Sequence, residues 1–212
     1  MDAIQEAIDT VETLRKRITN ISEDAMDLLF REARTHNAWT DTPVTDTQLL
    51  ELYKLVINGS TSGNCLPARF IYCRTPEAKS RLIPCVNPGN VAKLEAAPVC
   101  AIIGYDTMFW EHLPQLFPHR DMTAQYRDNA EHAETVAFRN GTLQGAYFML
   151  GARAMGMDFG AMSGFNNKAV DEEFFSGTTI KSNFLCNIGY GDASGLFQKL
   201  PRFDFDEVCE II

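Results

Sequence analysis

The sequence predicts an α+β fold on three observations. Helical periodicity dominates the first sixty residues and returns in one long central stretch, and four short β-rich runs lie among the helices. The runs do not alternate strictly with helices, as a doubly wound parallel sheet requires. The expected sum is about eight helices around a small sheet. At 212 residues, 45% hydrophobic and 22% charged, the chain has the composition of one generous globular domain.

Each element has its own local cause. Ile4, Ala7, Ile8, Val11, Leu14 and Ile18 recur at helical spacing with Glu, Lys and Arg between them, giving one amphipathic helix. Asn20 and Ile21 interrupt it, and Ser22 is placed to cap a second helix that Ile21 and Met26 staple. Thr45 with Gln48 reads as a capping box, flanked by Val44 and Leu49. Leu49, Leu52, Tyr53 and Val56 give that third helix its apolar face, and it ends near Asn58 and Gly59. Residues 59–67 are too polar and turn-rich for anything but a loop. A strand at 68–73 follows, then a short helix opened by Thr75 with Pro76 at its first position. Residues 87–90 mark a turn before a helical stretch around Lys93 and a strand at 99–105. No period appears in 106–128, which is expected to be irregular with one short helix.

The longest helix is expected over 129–155, closed by Gly156, with Ala133, Val136, Ala137, Leu143, Ala146, Tyr147 and Leu150 as its stripe. Gly141, Gly145 and Gly151 allow close backbone approach, which suits a central packing element or a subunit interface. Strands at 158–163 and 182–190, a helix near 168–175 between them and a capping box at Asp204 to Glu207 complete the chain.

Charge and cysteine usage narrow the function. A net charge of −9 opposes binding to nucleic acid or anionic membrane through the overall field, so an anionic ligand must be held by a local basic site. No apolar run reaches bilayer-spanning length, and Met1-Asp2-Ala3-Ile4-Gln5-Glu6 lacks the basic start of a secretory signal; a cytoplasmic location is expected. The six cysteines form no Cys-x-x-Cys pair, and Cys73, Cys100 and Cys186 lie in apolar runs as small buried hydrophobes. His36, His112, His119 and His132 have no metal-ligand spacing, so no metal is expected. Gly189-Tyr190-Gly191 lacks the third glycine of a dinucleotide fingerprint. Gly160 to Gly164 is misspaced for a nucleophile elbow, and no phosphate-binding P-loop or zinc-protease motif occurs.

What remains is a set of short polar clusters, far apart in sequence, each with a cation or amide suited to a planar, phosphorylated ligand. They are Ala33-Arg34-Thr35-His36-Asn37, the loop 60–64, Asn90 and Lys93 on one helix face, Met162-Ser163-Gly164-Phe165, and Leu200-Pro201-Arg202. With Phe138-Arg139-Asn140, Lys181-Ser182-Asn183 and residues 187–192, these clusters in this order resemble the flavin-binding signature of the nitroreductase family of FMN enzymes. The similarity is nearest to the malonic semialdehyde reductase branch of the uracil-degradation (Rut) pathway. The resemblance covers about residues 24–212. Residues 1–20 lie outside it as a helical extension, and 21–212 form a single FMN domain.

The resemblance implies a sandwich of a central antiparallel sheet flanked by helices, forming a homodimer with FMN at the interface. Arg34 and Arg202 would grip the FMN phosphate, whose oxygens fit the guanidinium fork. Thr35 belongs to the same segment, and His36 stands where a small hydroxyl residue is common, beside phosphate or ribityl. Asn90 would bond the pyrimidine edge, and Lys93 would lie where reduction places negative charge. Ser60, Thr61, Ser62 and Asn64 would reach the flavin from the other subunit. Ser163 replaces an acidic residue, while Gly164 is retained and would aim its N–H at flavin N5; Lys93 and Gly164 are the candidate catalytic residues. Leu66 and Ala68 replace a glutamine and an aromatic, leaving a pocket for a small aldehyde.

The implied reaction is ping-pong hydride transfer from NADH or NADPH through flavin N5, reducing malonic semialdehyde to 3-hydroxypropionate. The alternatives are a broad nitro or quinone reductase and a flavin-binding protein without turnover.

Overall fold

The structure, a computed structural model, describes residues 3–212. Contacts divide the chain into two compact units that meet in sequence at Ala33 and Arg34. The first unit holds α1 (Ala3–Arg17) and α2 (Glu23–Met26). Glu6 in the first turn of α1 and Arg15, Lys16 and Arg17 in its last complement the helix dipole. Ser22 caps α2 as expected, its Oγ accepting the Ala25 N–H at 3.2 Å. The chain then widens into a π-helical turn, Asp27–Arg31, where Arg31 pairs with Glu23 and Asp27.

The second unit is built on an antiparallel sheet of β1 (Ala68–Cys73), β2 (Val99–Asp106), β3 (Asp158–Met162) and β4 (Ile180–Gly189), in the order β1-β2-β4-β3. β2 is buried along its whole length, and its alternating side chains feed two cores. On one face, Ala101 and Ile103 with Cys186 and Ile188 of β4 pack against α3 (Asp46–Val56) and α8 (Ala130–Ala154), through Leu49, Leu52, Val56, Phe148 and Ala152. On the other, Cys100, Ile102 and Leu185 meet α4 (Pro76–Leu82), α5 (Pro88–Ala96) and α9 (Asn167–Phe174), through Leu82, Leu94 and Val170. Cys73, Cys100 and Cys186 are fully buried, as expected of small hydrophobes.

Several expectations are corrected. Residues 87–90 are the start of α5, because Pro88 is favoured at a first helical position. Tyr53 is 43% exposed; only Leu49, Leu52 and Val56 of α3 are covered. Residues 106–128 hold three short helical pieces, Phe109–His112, α6 (Leu113–Leu116) and α7 (Thr123–Arg127), each too brief to show a period. Phe109, Leu113 and Tyr126 anchor them in a third core cluster with Ala133 and Ala137 of α8.

The buried face of α8 follows the apolar stripe read from the sequence only in its first half, at Ala133, Val136 and Ala137. Leu143 is 42% exposed, and the covered side includes Asn140, Gly141, Gln144, Gly145, Phe148 and Gly151. A Cβ on Gly145 would lie 2.5 Å from the Phe184 ring, and one on Gly151 2.6 Å from Val56, so the helix seats close to the sheet and α3 through its glycines. The chain ends in α10 (Phe205–Val208), capped by the expected Asp204 and Glu207 box. Among the described residues no helix is long and apolar enough to cross a membrane.

Candidate active site

Around α5 the structure joins residues that are far apart in sequence. The Asn87 N–H and the Asn90 Nδ2 both donate to the Gly164 carbonyl, each at 3.0 Å. A Cβ on Gly164 would meet Asn90 Nδ2 at 2.7 Å and Asn87 Nδ2 at 3.2 Å, so a side chain there would push the Asn90 amide off the Gly164 carbonyl. One turn further on, Lys93 is half-buried, and its ammonium makes no ion pair or hydrogen bond among the described residues. Its backbone is fixed from below, since Asn187 Nδ2 on β4 donates to the Lys93 carbonyl at 2.9 Å. Ser163 is exposed beside Gly164.

Asn187 carries no role in the sequence reading. Its amide is 1% exposed in the middle of the sheet, and its Oδ1 has no partner. An amide inside the apolar run Leu185-Cys186-Asn187-Ile188 was the available signal, because a buried amide must find bonds.

The segment carrying Arg34, Thr35 and His36 lies at the β3 edge of the sheet. The His36 N–H donates to Phe159 O at 3.0 Å, and Arg153 of α8 donates to Arg34 O at 3.2 Å. The Arg153 guanidinium sits 4.1 Å over the Phe159 ring, and burial holds its pKa below the usual arginine value. The His36 side chain is only 11% exposed. Its ring packs on Gly191, and its Nδ1 lies 3.4 Å from Asp158 Oδ1, while the second Asp158 oxygen accepts the Gly191 N–H at 2.9 Å. Arg34 is half-buried and Thr35 exposed.

The 59–67 loop lies at the opposite edge, before β1. Asn140 Oδ1 accepts the Ser62 N–H at 2.8 Å, Gln144 Oε1 accepts the Ala68 N–H at 2.8 Å, and the Tyr147 hydroxyl donates to Ser60 O at 2.9 Å. Asn64 donates to Leu116 O, and Thr61 Oγ1 accepts the Leu66 N–H. Gly63, Asn64 and Leu66 all have positive φ, at 56°, 51° and 39°. A leucine there is strained backbone, a condition that clusters at ligand sites. Of the α8 amides that hold this loop, Asn140 stands in a stretch of the resemblance without a role assigned to it, and Gln144 was missed in the sequence.

Arg202 stands exposed in the tail and donates to the Leu200 and Pro201 carbonyls. A groove of about 900 Å³ runs between α3 and β1, lined by Leu49, Tyr53, Leu66, Ala68, Phe70 and Tyr72. It includes none of the expected flavin-binding residues.

The sequence model of the nitroreductase family matches residues 30–190. The chain belongs to the nitroreductase family. Within it, a Burkholderia lata protein carrying the name NADH dehydrogenase/NAD(P)H nitroreductase is 54% identical over 194 residues, covering 92% of this chain and all of that protein. A Cupriavidus pinatubonensis protein with the same name is 50% identical, over 90% of this chain and 98% of its own length. The nitroreductase fold is shared with solved structures at lower identity. A Bacillus subtilis nitroreductase superposes with a TM-score of 0.81 at 19% identity, over 90% of this chain and all of its own. An Exiguobacterium sibiricum nitroreductase crystallised in complex with FMN superposes with a TM-score of 0.78 at 18% identity, over 91% of this chain and 99% of its own.

Proposed function

We propose that this nitroreductase-family enzyme binds FMN between two copies of the chain and moves hydride from NADH or NADPH to a small aldehyde, malonic semialdehyde giving 3-hydroxypropionate. One observation carries the cofactor reading: among the described residues, a half-buried lysine without a carboxylate partner stands one turn beyond Asn90, whose side-chain amide holds the Gly164 carbonyl. Such a place suits a flat ligand whose edge becomes negative. The FMN complex of a protein with the same fold supports it.

The residues present fit that cofactor. Arg34 and Arg202 would hold the phosphate, Asn90 the pyrimidine edge, and Lys93 the edge that gains charge. Gly164 offers a backbone N–H without a side chain in the way, and His36, by its burial, keeps the Arg34 segment on β3. FMN held there would supply hydride-transfer chemistry between the nicotinamide and the aldehyde, which these residues would position.

The sheet order supports two copies acting together. Adjacent strands lie about 4.8 Å apart, so three intervals put roughly 14 Å between the Arg34 edge and the Ser60 to Asn64 edge. Ser60, Thr61, Ser62 and Asn64 would therefore reach the flavin of the other copy.

A second reading is a broad nitro or quinone reductase, favoured by the name its Burkholderia relative carries. Steady-state rates with malonic semialdehyde, a quinone and a nitrofuran, each with NADH and NADPH, separate the two. The highest kcat/KM on the semialdehyde is expected. A clear preference for the nitrofuran or quinone would establish the second reading, and a yellow protein that neither nicotinamide bleaches without oxygen would remove the enzymatic one.

A further inference from the structure

The branched apolar residues of the stripe that runs along α1 to Ile18, just past its end, are placed symmetrically about Val11, while the small Ala7 has Arg15 at its mirror position. Val11 stands at the centre, Ile8 and Leu14 three residues to either side, Ile4 and Ile18 seven to either side. The charge is antisymmetric about the same point. Glu6 and Asp9 give residues 3–10 a charge of −2, and Arg15, Lys16 and Arg17 against Glu12 give residues 12–18 a charge of +2. No residue of α1 is buried, and Val11 is 57% exposed. The helix also lies outside residues 30–190, so the shared family fold does not account for the stripe.

A stripe that reads alike in both directions is what a two-fold contact demands, since residue i of one copy meets j of the other while j meets i. Setting two copies antiparallel about Val11 brings Val11 to Val11 and Ile8 to Leu14. It also lays each negative half along a positive half and opposes the two helix dipoles. A parallel pair would match the stripe but put like charges side by side. We propose that α1 is a self-association element, packing antiparallel against α1 of a second copy of this chain with Val11 at the symmetry point.

Site-directed cross-linking of the full-length chain tests this, in a Cys209→Ser background because Cys209 is exposed while the other five cysteines are buried. Under mild copper-phenanthroline oxidation, Val11→Cys should run mostly at twice the 23.7 kDa chain mass. Asp9→Cys, on the opposite face of the helix, should stay single. Co-expressed Ile8→Cys and Leu14→Cys chains should link to each other in preference to themselves. The proposal is overturned if Val11→Cys stays single, if Asp9→Cys links as readily, or if Ile8→Cys prefers itself, which would mark a parallel pair. The readout needs neither flavin nor turnover, so it stands or falls apart from the proposed activity.

Discussion

Lys93 is a cation partly withdrawn from water in a chain with 28 acidic residues, yet none of the described ones is set against it. A desolvated charge without a partner is costly, and an anionic edge of a ligand would relieve that cost. Under the proposed function, Lys93→Ala should slow flavin reduction by roughly tenfold to a hundredfold while FMN content stays near that of the parent. Stopped-flow bleaching by NADH, beside the flavin-to-protein ratio, checks this. Flavin loss as large as the rate loss would make Lys93 a binding residue instead. That Asn90 and Lys93 share one helix was legible because three residues decide it. Asn187, which fixes the Lys93 backbone from another strand, was not, because only the fold brings residue 187 under residue 93.

Among elements, the segment 34–39 is held to β3 by backbone contact that leaves no room for a side chain. A Cβ on Gly160 would strike the His36 carbonyl oxygen, which is backbone and cannot swing away. Gly160→Ala should therefore cost about 1–3 kcal/mol, lower Tm by several degrees, and loosen the Arg34 segment. Thermal unfolding with flavin content on the same samples reads both, and an unchanged Tm would show that the segment can shift without loss. Capping signals at Ser22, Thr45 and Asp204 matched the structure because a cap is decided within four residues. The close-packing glycines of α8 were legible, but the burial of Asn140 and Gln144 was not, because amides carry no hydrophobic period. The cover over that helix comes from Phe184, Val56 and the 59–67 loop, all remote in sequence.

For the molecule as a whole, the buried thiols and phenols set an alkaline limit. Burial pushes the Cys65 and Cys73 thiols up from 9.0 to about 11, and the Tyr72 and Tyr105 phenols from 10.0 to about 12. Above pH 9 the unfolded chain releases these protons while the folded chain keeps them, so the unfolded state binds fewer protons and stability falls as pH rises. The contribution of the two thiols is whole below pH 9 and is lost through about pH 11. Urea midpoints should drop steadily across that window, and Cys73→Val should make the fall shallower. A midpoint independent of pH there would show that these thiols gain no protection from folding.

The separation of the Arg34 and Ser60 to Asn64 segments to opposite edges of the sheet also bears on genetics. If each flavin takes phosphate contacts from one copy and loop contacts from the other, a chain lacking Arg34 and a chain lacking the loop hydroxyls are each inactive alone. Together they form a mixed dimer in which one site takes both defects and the other takes none. Co-expression of Arg34→Ala with a Ser60→Ala/Ser62→Ala chain should then restore activity that neither homodimer shows, so that two loss-of-function alleles of this one gene would complement each other.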